Sequence, residues 1–228
     1  PLYLGFQGNV WNGTTTITSG KIVTTANYSI SDPSEYNAVI VNDTLDLLGT
    51  SQRIGDLSGS GTITTTTSGA SPNLTITQTG NTTFSGIIED GAGTVSFTKD
   101  GTGTLTLSGV NSTYTGSTTI MGGGTLVVSK ISNSGTAGSI GSGSSIVLDG
   151  GTLKFTGAQD STNRSITKTS NEGTIDGSGS GGLIINGNIT PNAGITATLT
   201  LTGTKSVRPK IGVLELSNIS TDGNESKS

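Results

Sequence analysis

An all-β fold, a right-handed parallel β-helix (solenoid), is predicted by three features of the sequence. Short runs alternate apolar and hydroxyl-bearing residues with period 2, as in 103–108, where Leu105 and Leu107 interleave with Thr104, Thr106 and Ser108. The tripeptide Gly-Thr-Leu begins at 103 and again at 124, a 21-residue offset that falls in the range of solenoid repeats. No apolar stripe of helical period extends over about ten residues.

Each element follows from these features. Residues 14–25 give a strand, a Ser-Gly break and a second strand around Ile22 and Val23; Asp32-Pro33 then marks a loop. AVIVNDTLDLLG (38–49) reads as two strands broken at Asn42-Asp43, and in 51–69 the residues Ile54, Leu57 and Ile63 face inward. Leu74 and Ile76 repeat the alternation, Phe84 and Ile87 flank a Ser-Gly corner, and Val95 and Phe97 precede the Gly-Thr-Leu strands. Residues 130–145 are small and glycine-rich, a loop or tight corner. Strands return at Ile146 and Leu148 and at Leu153 and Phe155. Residues 158–171 are polar around a lone apolar anchor, Ile166, and suit a protruding loop or a weak rung. Two strands are expected in 173–190, one in 195–203 and one in VLELS (213–217); the tail 218–228 is expected to fray.

Turn chemistry fits this plan. Asp-Gly occurs at 90–91, 100–101, 149–150, 176–177 and 222–223, and Asn-Gly at 12–13 and 186–187, pairs suited to turns that need a positive φ. Spacings of about ten and about twenty residues coexist; the shorter reads as two faces of one coil and the longer as a full turn. An antiparallel β-sandwich would explain the alternation equally well but not the recurrence of Gly-Thr-Leu. At roughly 22 residues per coil, the chain makes on the order of ten coils and, at ~4.8 Å per coil, a rod about 50 Å long. The same motifs recur over most of 1–228, which favours a single domain.

Composition narrows both fold and function. Hydrophobic residues are 29% of the chain and aromatics 4%, enough for a narrow core fed by two or three apolar residues per strand but not for a wide one. Charged residues are 11%, unlike chains held unfolded by self-repulsion. A net charge of −4 without a basic cluster argues against nucleic acid as partner. No run approaches the eighteen or so apolar residues of a membrane helix, so the chain is not expected to span a bilayer. The opening PLYLGFQGNVW lacks the basic start and cleavable site of a signal peptide and suits a first strand or the start of a mature fragment. With no Cys and no His there is neither thiolate nor imidazole chemistry.

The run from GSGTITTTTSG through GTGTLTLSGVNSTYTGSTTIMGGGTLVVS resembles the autotransporter-associated β-strand repeat of bacterial type V secretion passenger domains. Asn111, Thr113, Tyr114, Thr115, Gly116, Thr118, Thr119, Ile120, Gly123, Gly124, Thr125 and Leu126 match its pattern, with Ser112 inserted and Met121 where a polar residue is usual. The match is strongest over 51–129 and continues through 143–157; residues 1–50 and 158–228 share only its style. The resemblance implies a β-helical passenger piece of a Gram-negative bacterium, secreted or exposed at the outer membrane, released or excised from the membrane barrel such proteins carry. It implies a repeat associated with secretion and folding and not with catalysis.

Candidate chemistry is sparse. Glu89, Asp90, Asp100, Asp149 and Asp176 could form the carboxylate pair of a glycosidase, but four of the five belong to Asp-Gly turns. The glycine-rich runs 138–143 and 177–182 lack the Lys-Ser/Thr ending of a phosphate loop, and GSGSGG lacks the Asp of a calcium nonapeptide. No enzyme activity, cofactor or metal is expected. The candidate contact residues are Trp11, Tyr28, Tyr36 and Tyr114, exposed aromatics being able to anchor a glycan or a receptor; the competing reading packs Tyr114 into its own corner and caps the first coil with Trp11. The function expected is that of an adhesin or host-cell-interacting virulence factor, acting on a host receptor or glycan or by self-association between bacteria. A structural stalk or folding module comes second and a carbohydrate-active enzyme third.

Overall fold

The structure is a computed structural model that describes residues 1–6, 13–31, 35–169, 171–191, 198–205, 207–209 and 219–221. Among the described residues it is a parallel β-solenoid of 25 strands, numbered β1 to β25 in chain order, with no helix. Every pair of named strands is parallel; the antiparallel contacts are two isolated bridges, Ser112 with Gly138 and Met121 with Gly150. That pattern excludes the sandwich, whose strands would pair antiparallel.

The longest sheet has ten strands. They are β2 (Thr15–Ile17), β4 (Val39–Val41), β7 (Leu57–Gly59), β10 (Asn81–Phe84), β13 (Thr104–Leu107), β15 (Thr125–Val128), β17 (Thr152–Phe155), β20 (Gly173–Asp176), β23 (Leu199–Thr202) and β25 (Ile219–Thr221). A seven-stranded sheet beside it contains β6 (Gln52–Ile54), β9 (Asn73–Thr77), β12 (Ser96–Asp100), β14 (Thr118–Met121), β16 (Ser145–Asp149), β19 (Ser165–Lys168) and β22 (Ile189–Pro191). The third side changes character along the rod. Up to Gly91 it is a five-stranded sheet of β1 (Leu2–Leu4), β3 (Lys21–Thr24), β5 (Thr44–Asp46), β8 (Thr62–Thr65) and β11 (Ile87–Gly91). From Asp160 it is a three-stranded sheet of β18 (Asp160–Thr162), β21 (Leu183–Ile185) and β24 (Val207–Pro209). Between them, 108–117 and 129–144 close the third side without a strand longer than a single bridge.

Register explains the repeated tripeptide. Leu105 pairs with Leu126, Leu126 with Leu153 and Leu153 with Ile175, so the Gly-Thr-Leu units stack on one another in the ten-stranded sheet. The shorter spacing joins two sides of one coil, since Val95 and Phe97 lead into β12 of one sheet and Leu105 lies on β13 of the other. Turn length varies from 18 residues between Val39 and Leu57 to 28 between Thr119 and Val147. The inward side chains stay aligned because the variation falls in the corners and the third side. Leu105, Leu126, Leu148, Leu153 and Phe155 are fully buried in one continuous core, each contributing on the order of 1.5–3 kcal/mol.

Gly124 shows why a glycine precedes the strand that begins at Thr125. A Cβ there would lie 2.0 Å from Lys99 Nζ and 2.3 Å from the Gly101 carbonyl. The glycine therefore leaves room for a buried ammonium. The Asp-Gly corners at 91, 101 and 150 have φ of 64°, 77° and 93°, as their turn chemistry requires.

Several expectations are refined. Residues 158–171 form a true rung, β18 and β19, and not a protruding loop. Residues 173–190 hold three strands rather than two. Ile219–Thr221 forms a short strand that pairs with β23. VLELS, Asp32-Pro33 and residues 222–228 lie outside the described residues, and so does Trp11.

Candidate functional site

The solenoid offers side chains in columns, because residues paired in register on successive strands lie one above another at ~4.8 Å. On the ten-stranded sheet, Thr104, Thr125, Thr152, Thr174 and Thr200 form an unbroken outward column of five threonines. In the next outward column Lys154 pairs with Asp176, their charges 3.2 Å apart. On the seven-stranded sheet the outward column runs Arg53, Thr75, Thr98, Thr119, Val147, Thr167, Thr190. Asn73 ties this column sideways, its amide donating to Thr75 Oγ1 (3.1 Å) and Thr98 Oγ1 (3.2 Å).

The four candidate aromatics separate. Tyr114 is fully buried, so it has no surface to offer a ligand and leaves the contact set. It fills the gap on the third side after β11 ends, with its ring centroid 6.2 Å from that of Phe97 and its hydroxyl 2.7 Å from Thr118 Oγ1. Burial pushes its phenol above the ordinary tyrosine range, and the Thr118 hydrogen bond and the charge of Arg164 only partly offset this. Tyr28 is 45% exposed and Tyr36 half-buried, and both have a left-handed backbone, φ 56° and 48°. Such conformations are uncommon for aromatic residues. The Arg53 guanidinium lies 4.7 Å from the centre of the Tyr36 ring. Arg53 Nε donates to Thr77 Oγ1 (2.9 Å), and the guanidinium is ion-paired with Asp100.

Four of the carboxylates considered for catalysis, Asp90, Asp100, Asp149 and Asp176, bond to residues of other coils, and Asp56 does the same. Asp90 accepts from the Val95 N–H (2.8 Å) and, one coil on, from the N–H (3.0 Å) and hydroxyl (2.5 Å) of Thr115. Asp149 accepts from the Asn171 amide (2.6 Å), and Asp56 from the N–H groups of Thr79 (2.7 Å) and Gly80 (3.1 Å). Each of the eight described aspartates accepts at least one hydrogen bond from a protein donor. Among the described residues, no group of three or more His, Cys, Asp or Glu could hold a metal ion.

Asp46 is the carboxylate most deeply committed. It is buried and accepts from the N–H groups of Leu48 (3.0 Å) and Thr66 (3.1 Å) and from Thr66 Oγ1 (2.7 Å), with Lys21 Nζ at 3.3 Å. Burial raises its pKa, but these donors together outweigh burial and hold it below the ordinary value. A lowered carboxylate pKa adds stability that is complete above the unfolded value, ~3.9, and is lost as pH falls through the folded one. Asp46→Asn is therefore expected to flatten the loss of stability below about pH 4. Urea midpoints of the two proteins measured from pH 6 down to pH 2.5 check this; parallel curves would show that Asp46 does not carry the acid sensitivity.

Three interior cations were not read from the sequence. Arg164 is buried, its guanidinium donating to the carbonyls of Ser132 (3.2 Å), Ile140 (3.3 Å), Gly141 (2.7 Å) and Gly143 (2.5 Å). It fastens the strandless segment 129–144 to the rung that follows. Lys99 and Lys168 take inward positions between apolar neighbours, Lys99 between Ile76 and Ile120 and Lys168 on Leu148. Their ammonium groups reach backbone carbonyls at the corner, Lys99 to Gly101 (2.5 Å) and Lys168 to Thr169 (3.5 Å). Desolvation lowers the Lys99 pKa to about 8 against the opposing pull of Asp100 and Asp56.

Fold and surface together define an elongated parallel β-solenoid with regular hydroxyl-bearing faces, its described aspartates engaged in hydrogen bonds and ion pairs. Residues 97–128 match the passenger-associated transport repeat, and the chain thus carries an autotransporter passenger repeat. This segment spans β12 to β15 and includes the two stacked Gly-Thr-Leu units that begin at Gly103 and Gly124. The protein "Adhesin BmaC autotransporter" of Brucella suis biovar 1 (strain 1330) is 35% identical over 131 residues, 56% of this chain. The chain spans 4% of that relative's length. No solved structure matches the chain.

Proposed function

We propose that this chain is a non-catalytic segment of an autotransporter passenger, secreted or displayed at the bacterial surface, that acts in adhesion or host-cell interaction. The observation that carries the reading is the combination of an adhesin-named relative with in-register hydroxyl columns on two sheet faces. A rigid rod presenting many weak donors and acceptors suits attachment, where contacts add along a length. Non-catalysis is supported by the engagement of the carboxylates in coil-to-coil bonds. The partner is a host receptor or glycan, or another copy on a neighbouring bacterium.

The test is display of residues 1–228 on non-adherent bacteria, with attachment to host cells and settling measured across a salt series. Attachment or settling above that of cells without the insert is expected. It should persist at about 1 M salt, where the Debye length falls to ~3 Å, because the outward columns are largely uncharged. Cells indistinguishable from the empty control at every salt would transfer the activity to other parts of the passenger and leave this segment a stalk.

A further inference from the structure

We propose that the outward face of the seven-stranded sheet, from Tyr36 and Arg53 to Thr119, is a binding track for a neutral linear glycan lying along the solenoid axis. The proposal rests on the adhesive reading above and names its ligand class and its site.

The head of the track is a built feature. Tyr36 keeps a left-handed backbone, and its carbonyl oxygen would lie 1.8 Å from a Cβ at position 55, so the close approach depends on Gly55. The Gly55 N–H donates to the Asn37 carbonyl (2.9 Å), fixing that contact. The ring is thereby set against the Arg53 guanidinium at 4.7 Å, and Arg53 is itself held by Thr77 and Asp100. An immobilised, part-exposed aromatic ring beside a charged fork suits the two faces of a sugar, with C–H groups on the ring and hydroxyls on the fork. Thr75, Thr98 and Thr119 continue from it one rung at a time, and the Asn73 amide holds the first two in place.

Charge selects among ligands. On these strands Arg53 is neutralised by Asp100, and the remaining outward charge is acidic, Asp149. A sulfated or uronic-acid polymer would find no free cation here and would meet net repulsion. A protein partner is disfavoured differently. The centre of a protein interface is apolar, whereas the outward residues here are mostly hydroxyl-bearing, with Met121 and Val147 as exceptions. The face is thus complementary to a polyhydroxylated ligand without charge.

The experiment titrates the 228-residue chain with cello-, xylo-, manno- and chito-oligosaccharides of increasing length, with heparin as the anionic comparison. At least one neutral series is expected to bind, more tightly with length until the track is filled, and heparin more weakly than that series. Tyr36→Ala should weaken binding about tenfold and Tyr36→Phe by less than about twofold. The triple variant Thr75→Val, Thr98→Val, Thr119→Val keeps β-branched shape and should lose most of the length dependence while remaining folded, with a melting point lowered by the loss of the Asn73 bonds. Binding by none of the neutral series, heparin as the tighter ligand, or a folded Tyr36→Ala that binds like the parent would overturn the track. Attachment of displaying cells that survives such a result would leave the adhesive reading standing with a different ligand. Glycan binding without attachment would overturn the adhesive reading and leave the track.

Discussion

Replacing Leu107 by Asp is expected to destabilise the protein by about 4 kcal/mol or more. Leu107 is 3% exposed and lies in an inward column between Phe84 and Val128, with Phe155 beyond. A carboxylate there loses the packing of a buried leucine and brings a charge into an apolar stack. The neighbouring Thr106 faces outward between Thr83 and Val127, and Thr106→Asp should cost less than about 1 kcal/mol. Urea midpoints of the two variants check the assignment of faces, and equal midpoints would show it to be wrong.

Truncation of Arg164 to Ala should cost about 3–5 kcal/mol, since it strips four buried carbonyls of their donor. Arg164→Lys should recover little of this, because one ammonium cannot reproduce the planar fork that spans Ser132 to Gly143. Hydrogen exchange should localise the loss to 130–143, where Arg164 makes its bonds, before it spreads to the strands. A stability within about 1 kcal/mol of the parent, with unchanged protection in that segment, would mean that water serves the carbonyls as well as the guanidinium does.

The fold was legible because the core is written in a two-letter alternation. Leu105, Leu107, Leu126 and Val128 point inward while Thr104, Thr106 and Thr125 alternate with them outward, and the recurrence of Gly-Thr-Leu reports a register that hairpins would not produce. The same rule hid the interior cations. Arg164, Ile166 and Lys168 alternate inward just as Val95, Phe97 and Lys99 do, but an apolar pattern discards two of the first three and the last of the second. Their burial depends on carbonyls at the corners, which local sequence does not display. Tyr114 is a related case. Its burial follows from the end of the five-stranded sheet at Gly91, an event on another coil. The pairing of Tyr36 with Arg53 is likewise nonlocal, joining a loop to the strand one coil further on.

The inter-strand hydrogen bonds of this solenoid run along the rod, which determines how it responds to pulling. Tension applied along the axis loads successive coils in series, so the weakest interface opens alone while the others hold. Each coil of 18 to 28 residues that peels away replaces a ~4.8 Å rung by roughly 60–90 Å of extended chain. A tether built this way lengthens many-fold before its last coil parts, and it spreads a sudden load over time. Under the adhesive function proposed above, the rod would serve a bacterium in flowing liquid as a yielding line as well as a point of attachment.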